Sequence, residues 1–401
     1  MMISMKQNVL IHSSLHELKK RENALKIINK KIHSQGRDKL YDLTGLSGGF
    51  LLKKDDLKLL ETYVGPALFE DMLEKWGKEH LGGEKVLGFN RTSAGILATI
   101  LALVKPKTYV IHYLPELPSH PSIPRSAKLV GAEYLEFDNL DEFFIPENTS
   151  LIVITGSTMD HKVIAVEEFQ DIIKKADGKV PVMVDDASGA RLRTVIFNQP
   201  SAIDLGADLV VTSTDKLMDG PRGGLMAGKS ELMDQIKSKA HQFGLEAQTP
   251  VIAGIVRALE NFNPEILLKS FENKNRLLDS LNYNFKGFEQ TPTGVMITPQ
   301  SLEREIESRG IGTSLSDSDL SFLWAIMLLK EKGILTIPAV GMPGASPTIR
   351  IDLASKDAKL LPIENITEMV TDSFNDLISV LSKPNSSEKE IIEECSHIIF
   401  N

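Results

Sequence analysis

Between residues 85 and 213 the chain alternates short β-branched runs with helical stretches, and this rhythm restricts the fold more than any other feature. A short strand running into a turn occupies 85–95, and an apolar helix continues over 96–104. Further strands follow over 108–112, 133–137, 150–155, 181–184 and 208–212. The amphipathic stretch 166–175 lies between two of them and keeps a charged outer face. Such alternation predicts an α/β fold with a mostly parallel, seven-stranded-type sheet covered on both faces. Ligands of such sheets bind where the strands end at their carboxyl side.

Beyond residue 250 the pattern changes. Helices are expected over 251–268, 272–281, 302–309 and 319–332, a strand over 348–352, and a last helix over 366–381, followed by a linker and short tail. With 401 residues, 42% of them hydrophobic, the chain has material for two lobes. The expected division is an N-terminal helical segment packing on the small domain (1–60), a large cofactor-binding domain (61–250), a smaller α+β C-terminal domain (251–383) and a tail (384–401).

The net charge of −9 argues against broad affinity for nucleic acid or anionic membrane. Residues 1–40 are the exception, with nine Lys or Arg against three acids; a solvated helix face accounts for them, and tRNA contact is the less favoured alternative. A single cysteine, Cys395, excludes an internal disulfide framework and a cysteine-based zinc cluster. The opening residues do not read as a secretion leader, and no run of 18 uncharged apolar residues occurs. A soluble, cytoplasmic protein is expected, without a membrane and without a catalytic metal, since no histidine spacing suits one.

The chemistry concentrates on two strand ends. Lys216 follows a β-branched strand and lies between hydroxyl residues and the glycine-rich turn Gly220-Pro221-Arg222-Gly223-Gly224, a setting suited to a Schiff base. About thirty residues earlier an apolar run ends in Asp185 and Asp186. Asp185 is placed to hold the protonated pyridine nitrogen of pyridoxal 5'-phosphate. Either residue alone reads equally well as an ordinary loop or strand-end group; their order and spacing together carry the cofactor reading. Asp186, Ser188 and Arg191 cluster behind Asp185.

The turn Asn90-Arg91-Thr92-Ser93-Ala94-Gly95 offers hydroxyls, a glycine and free helix-start amides for a phosphate, with Thr92 and Ser93 as favoured donors and Ser213 as a further one. Helix capping demands the same residue types. The nucleotide-binding pattern G-x-x-x-x-G-K-[ST] is missing from this turn. His120, held in Pro118-Ser119-His120-Pro121, is a candidate to lie on the pyridine ring and to move a proton. Arg350, between Ile349 and Ile351, is the candidate clamp for a substrate carboxylate, with Arg222 next in line; an ion pair with Asp352 is the competing role for Arg350.

These features resemble the fold-type I pyridoxal phosphate-dependent enzymes of the aspartate-aminotransferase-like fold, most closely the archaeal branch related to L-seryl-tRNA(Sec) selenium transferase, or selenocysteine synthase. The resemblance covers roughly residues 40–380, and its most specific pieces are the stretches 213–224 and 184–191. It implies that Lys216 carries the cofactor, that Asp185 meets the pyridine nitrogen, that Ala187 packs under the ring, that His120 stacks above it and that residues 90–95, with Asn90 among them, hold the phosphate. It also implies a homodimer or a higher homo-oligomer. Two departures stand out: Ser188 replaces the histidine or tyrosine common three residues after the aspartate, and no mobile-loop cysteine of a desulfurase is present. The leading expectation is a transferase or lyase performing β-elimination or β-replacement on a serine- or cysteine-like amino acid or aminoacyl substrate. Transamination, aldolase-type cleavage and a noncatalytic tRNA-associated accessory role remain alternatives.

Overall fold

The computed structural model describes residues 6–384 and 386–401. The chain divides into two compact units, Leu46–Leu268 and a second built from Met1–Gly45 with Lys269–Asn401. The expected boundaries at 60/61 and 250/251 therefore move. The helices Lys54–Leu60 and Thr249–Glu260 both belong to the unit 46–268, where Arg257 grips the buried Asp56 carboxylate. Burial of Asp56 ties these two sequence-distant helices into one body.

The unit 46–268 carries a seven-stranded sheet. Across it the strands run Lys85–Phe89, Gly224–Gly228, Leu209–Ser213, Val182–Asp185, Thr149–Thr155, Tyr109–Tyr113 and Glu133–Phe137. The last five are mutually parallel, and Gly224–Gly228 is antiparallel to both of its neighbours. One face packs Val110, Val153, Met183 and Val211 against the helix Thr92–Leu103. The other packs Ile111, Ile152, Val184 and Val210 with Ile255 of Thr249–Glu260. Burial on both faces explains why these strands read as continuous apolar runs. Gly224–Gly228 escaped the sequence reading because two of its five residues are glycine, a poor strand former. The register pairs Asp185 with Thr155 and with Val211, so these strand ends lie level.

The unit 1–45 with 269–401 is α+β. Its antiparallel sheet runs Ile349–Asp352, Gly294–Ile297, Phe288–Thr291, and Tyr41–Asp42 pairs in parallel with Ile334–Leu335. Trp324, Phe285, Phe288 and Phe374 form an aromatic core through edge-on contacts. The tail expected after residue 384 is instead largely a helix, Glu388–Phe400, whose Cys395 and Ile399 are buried. Apolar residues at four-residue spacing are what a docked helix requires. The helix expected over 251–268 is broken: Thr249–Glu260 ends ahead of Asn263-Pro264, and Glu265–Asn284 begins there.

Candidate functional site

The site is built at the carboxyl ends of the strands in the unit 46–268. After Leu209–Ser213 the chain closes on Thr214. The Thr214 N–H donates to Gly223 O at 3.0 Å. Its hydroxyl donates to Pro221 O at 2.7 Å and accepts from Gly223 N–H at 3.2 Å. A Cβ on Gly220 would sit 2.2 Å from Thr214 O, so the turn tolerates only glycine there. Lys216 emerges from this turn half-buried and bridges Leu46, next to Ser47 N–H, which donates to Asp215 O at 2.7 Å. The following residue, Leu217, is held at φ +55°, a strained conformation for a branched side chain. Ser213 gives its hydroxyl proton to Asp215, and Arg222 Nε lies 3.4 Å from the same carboxylate. Both residues expected to meet an anion are thus engaged with Asp215.

Asp185 ends its strand 8% exposed. Burial, partly offset by the Lys216 ammonium, pushes its carboxyl up to about 6, and Asp186 adds to the rise. Its Oδ1 is buried and accepts no hydrogen bond from the described residues. Such an orphaned acceptor costs about 1–3 kcal/mol unless a donor arrives. A protonated pyridine nitrogen is such a donor, so this end of the site fits the cofactor. Asp186 differs: Arg193 reaches it with Nε at 3.2 Å and Nη2 at 2.5 Å, and both side chains are essentially fully buried. A Cβ on Gly156 or Gly189 would fall within 2.0 Å of Asp186 Oδ1, so two glycines make room for this pair.

Behind them lies Arg191, fully buried and pushed down to about 10 by that burial. It donates to Thr212 Oγ1 at 3.1 Å and to Ser213 O at 2.6 Å, with a longer 3.4 Å contact to Ala187 O. Ala187 O also accepts from Ser213 N–H at 3.1 Å and from Thr212 Oγ1 at 3.2 Å. One guanidinium therefore ties the end of the Asp185 strand to the end of the strand leading to Lys216. The sequence reading missed Arg193 and the two glycines; the signal was Arg191-x-Arg193 so soon after the paired aspartates.

The helix Thr92–Leu103 starts directly after its strand, with Arg91 as N-cap and no capping side chain. Ala94 and Gly95 N–H groups turn back to Arg91 O, while Thr92 and Ser93 open the helix. A Cβ on Gly224 would sit 2.8 Å from Arg91 C and O and from Thr92 N, so the antiparallel strand presses its backbone onto this helix start. Uncapped amides, two hydroxyls and a helix of 12 residues suit a phosphate. Asn90 is exposed beside them and donates its N–H to Leu245 O.

His120 is exposed, with Nδ1 2.8 Å from Ser122 Oγ and accepting Ser122 N–H at 3.3 Å, which leaves the ring proton on Nε2. Crowding by protein, then the cations of Lys216, Arg125 and Arg91, displace its imidazole below the ordinary histidine value. Because His120 keeps solvent contact, this displacement is smaller than for the enclosed His112, which is pushed down to about 3. Lys216 thus lies within electrostatic reach of both Asp185 and His120.

Arg350 belongs to the other unit. It is 6% exposed, its Nη2 donates to Thr44 O at 3.3 Å, and its Nε lies 3.7 Å from Asp352 Oδ2. Among the described residues no group of three or more His, Cys, Asp or Glu is arranged to hold a metal, and no helix is long and apolar enough to cross a membrane.

Comparison with known proteins places these residues in a family. The UPF0425 pyridoxal phosphate-dependent protein of Methanosphaera stadtmanae is 51% identical over 368 residues, 92% of this chain and 96% of the relative. The chain belongs to the UPF0425 family of pyridoxal phosphate-dependent proteins. The UPF0425 C-terminal domain model matches residues 284–362, and the L-seryl-tRNA selenium transferase model matches residues 145–285, the stretch holding Asp185 and Lys216. Among solved structures, the SepCysS-SepCysE N-terminal domain complex covers 88% of this chain and 98% of the matched chain with a TM-score of 0.56 at 16% identity. The aromatic aminotransferase of Pyrococcus horikoshii OT3 aligns over the same shares with a TM-score of 0.56 at 15% identity. The fold is therefore the aminotransferase-like fold type I, and the cofactor of the family is pyridoxal phosphate.

Proposed function

We propose that this protein is a pyridoxal phosphate-dependent transferase or lyase that removes or replaces the β-substituent of a serine- or cysteine-like amino acid or aminoacyl substrate. The observation that carries the reading is the buried Oδ1 of Asp185, which accepts no hydrogen bond from the described residues and feels the Lys216 charge. The match of residues 145–285 to the selenium transferase model supports chemistry at Cβ. When bound, pyridoxal phosphate withdraws electrons from the substrate Cα–H bond and stabilises the negative charge that develops there.

Lys216 Nζ would hold the cofactor and would serve as the base that accepts the substrate Cα proton. Asp185 would keep the ring nitrogen protonated, and Ala187, small and half-buried beside it, would leave room for the ring. Thr92 and Ser93, with Asn90 beside them, bind the phosphate. His120 would lie against the cofactor, with Nε2 free to donate it a hydrogen bond. A neutral imidazole is a weak proton source, so the Lys216 ammonium formed in the first step delivers its proton to the group leaving Cβ, which returns Nζ to its neutral form. The candidates for the substrate carboxylate are Arg222, whose Nε lies 3.4 Å from Asp215, and Arg350, whose guanidinium donates to Thr44 O and lies 3.7 Å from Asp352.

An accessory role on tRNA finds less support. Of the basic side chains in the first forty residues, Lys6 and Arg37 pair with Glu303 and Asp357, Arg21 donates to Val340 O, and Lys20 is buried with its ammonium on Pro338 O and over the Phe322 ring. Self-association is part of the proposal, since Phe50, Leu51, Leu57, Tyr63, Val64 and Leu68 are all exposed within one short stretch.

The deciding experiment combines cofactor trapping with a substrate panel. Borohydride reduction of the reconstituted protein, followed by peptide mapping, places the cofactor on Lys216. Incubation with serine, cysteine and their O- and S-substituted derivatives then releases pyruvate, ammonia or sulfide. A label on another lysine overturns the site. A keto acid formed without loss of the β-substituent moves the reaction to transamination.

A further inference from the structure

A row of polar side chains crosses the parallel part of the sheet, outside the roles assigned above. Thr155 ends its strand as the register partner of Asp185, and its hydroxyl lies 2.7 Å from His112 Nε2. His112 Nδ1 lies 2.8 Å from Tyr134 Oη. The same phenol oxygen is 2.8 Å from Glu136 Oε2 and 2.9 Å from Ser119 Oγ, and Ser119 immediately precedes His120. His112 pairs in register with Val153 and Glu136, which puts the whole row on one face of the sheet.

Proton accounting gives the row a direction. His112 is completely buried and its ring is neutral, so it carries one proton. Tyr134 also has one proton to give, and a carboxylate can only accept, so that proton goes to Glu136. His112 must then donate from Nδ1 to Tyr134 Oη, which leaves Nε2 to accept the Thr155 hydroxyl proton. Ser119 donates the second hydrogen bond that Tyr134 Oη can accept. In this arrangement every polar atom of the hub is satisfied, the condition under which a buried network rigidifies its surroundings.

We propose that Tyr134 is a positioning residue for the cofactor site: through Ser119 it fixes the loop that carries His120, and through His112 and Thr155 it keys that loop to the strand end that carries Asp185. The inference rests on the reading of His120 as the residue stacked on the cofactor. Tyr134 itself touches neither substrate nor cofactor; it sets where the imidazole stands.

The test uses the full-length protein and pyridoxal phosphate, with two readouts other than turnover: the induced circular dichroism of the bound cofactor and its dissociation constant. Tyr134→Phe is expected to diminish the dichroism and weaken binding about three- to tenfold, the loss of one or two hydrogen bonds' worth of order. Ser119→Ala, which cuts only the link to the loop, reproduces part of the effect. In a His120→Ala background neither substitution changes anything further. If His120→Ala alters both readouts and the Tyr134→Phe effect simply adds to it, the positioning role is overturned while the His120 assignment stands. If His120→Ala leaves both readouts unchanged, the His120 assignment falls and the positioning role with it. Should Tyr134→Phe fail to fold, Ser119→Ala decides alone: additivity with His120→Ala overturns the proposal.

Discussion

Asp185 and Asp186 are neighbours in the chain and opposites in their surroundings. Both oxygens of Asp186 are taken by Arg193 in a buried ion pair, whereas Asp185 keeps one buried oxygen that no described residue serves. The two carboxylates therefore answer to different perturbations.

Removing Asp186 leaves the Arg193 guanidinium buried and unpaired, so Asp186→Ala should cost about 3–5 kcal/mol in urea-induced unfolding. Asp185→Asn preserves shape and relieves a buried charge. It should cost no stability, and near neutral pH should raise it by up to about 3 kcal/mol because no buried charge forms, while lowering the rate on any responsive amino acid by about a hundredfold or more, because the ring nitrogen loses its anionic partner in the reacting state. Equal stability losses in the two variants would contradict the contrast drawn here.

The acid–base behaviour of Asp185 gives the cofactor-free protein a distinctive pH profile. Its folded carboxyl titrates at about 6 against an ordinary 3.8, so between these values the native state binds more protons than the unfolded one. Stability from this group is full below the ordinary value and is lost as pH rises through about 6, a decline on the order of 3 kcal/mol. Chemical denaturation of the apoprotein at pH 4 to 7 should show the decline. Asp185→Asn should flatten it, and saturating pyridoxal phosphate should remove it by supplying a donor to the carboxylate.

Gly224→Ala tests the phosphate cradle without touching a hydroxyl. The added methyl would meet the Arg91 carbonyl and Thr92 N at 2.8 Å, and the helix start must shift to admit it. A shift of this kind costs about 1–3 kcal/mol, which predicts roughly ten- to hundredfold weaker binding of pyridoxal phosphate and a smaller loss for pyridoxal, which lacks the phosphate. Equal losses for the two ligands would place the phosphate elsewhere.

A clamping role for Arg350 predicts that Arg350→Ala weakens binding of amino-acid substrates by about 2–5 kcal/mol and leaves the cofactor dissociation constant unchanged. Spectral titration with amino acids and with their decarboxylated amines separates a carboxylate clamp from a structural partner of Asp352: only the clamp makes the amines indifferent to the substitution.

The strand–helix alternation was legible because parallel strands buried on both faces leave unbroken β-branched runs, as in Leu209–Ser213 and Thr149–Thr155. Lys216 and Asp185 were legible for a related reason, since each interrupts or ends such a run with a charge. The environment that sets them apart was not. Whether Ser213 faces a phosphate or Asp215, and which of two consecutive aspartates an arginine claims, depends on side-chain packing that leaves no periodic trace. The helix Glu388–Phe400 was hidden behind a polar linker. The strand Gly224–Gly228 was hidden by glycines that serve close backbone approach rather than strand propensity.

The antiparallel placement of Gly224–Gly228 also orders events in time. The strand Lys85–Phe89 pairs with Gly224–Gly228 on one edge, and on the other Phe89 bridges Glu246, so it stays unpaired until the chain has been synthesised past residue 228. At ribosomal speeds of about 5–20 residues per second that interval lasts roughly seven to thirty seconds. The amides at Thr92 gain their backing strand only at its end. A nascent chain with the proposed phosphate cradle would thus acquire its cofactor late, and a ribosome pause just beyond residue 228 would coincide with the first moment at which that cradle is backed by its strand.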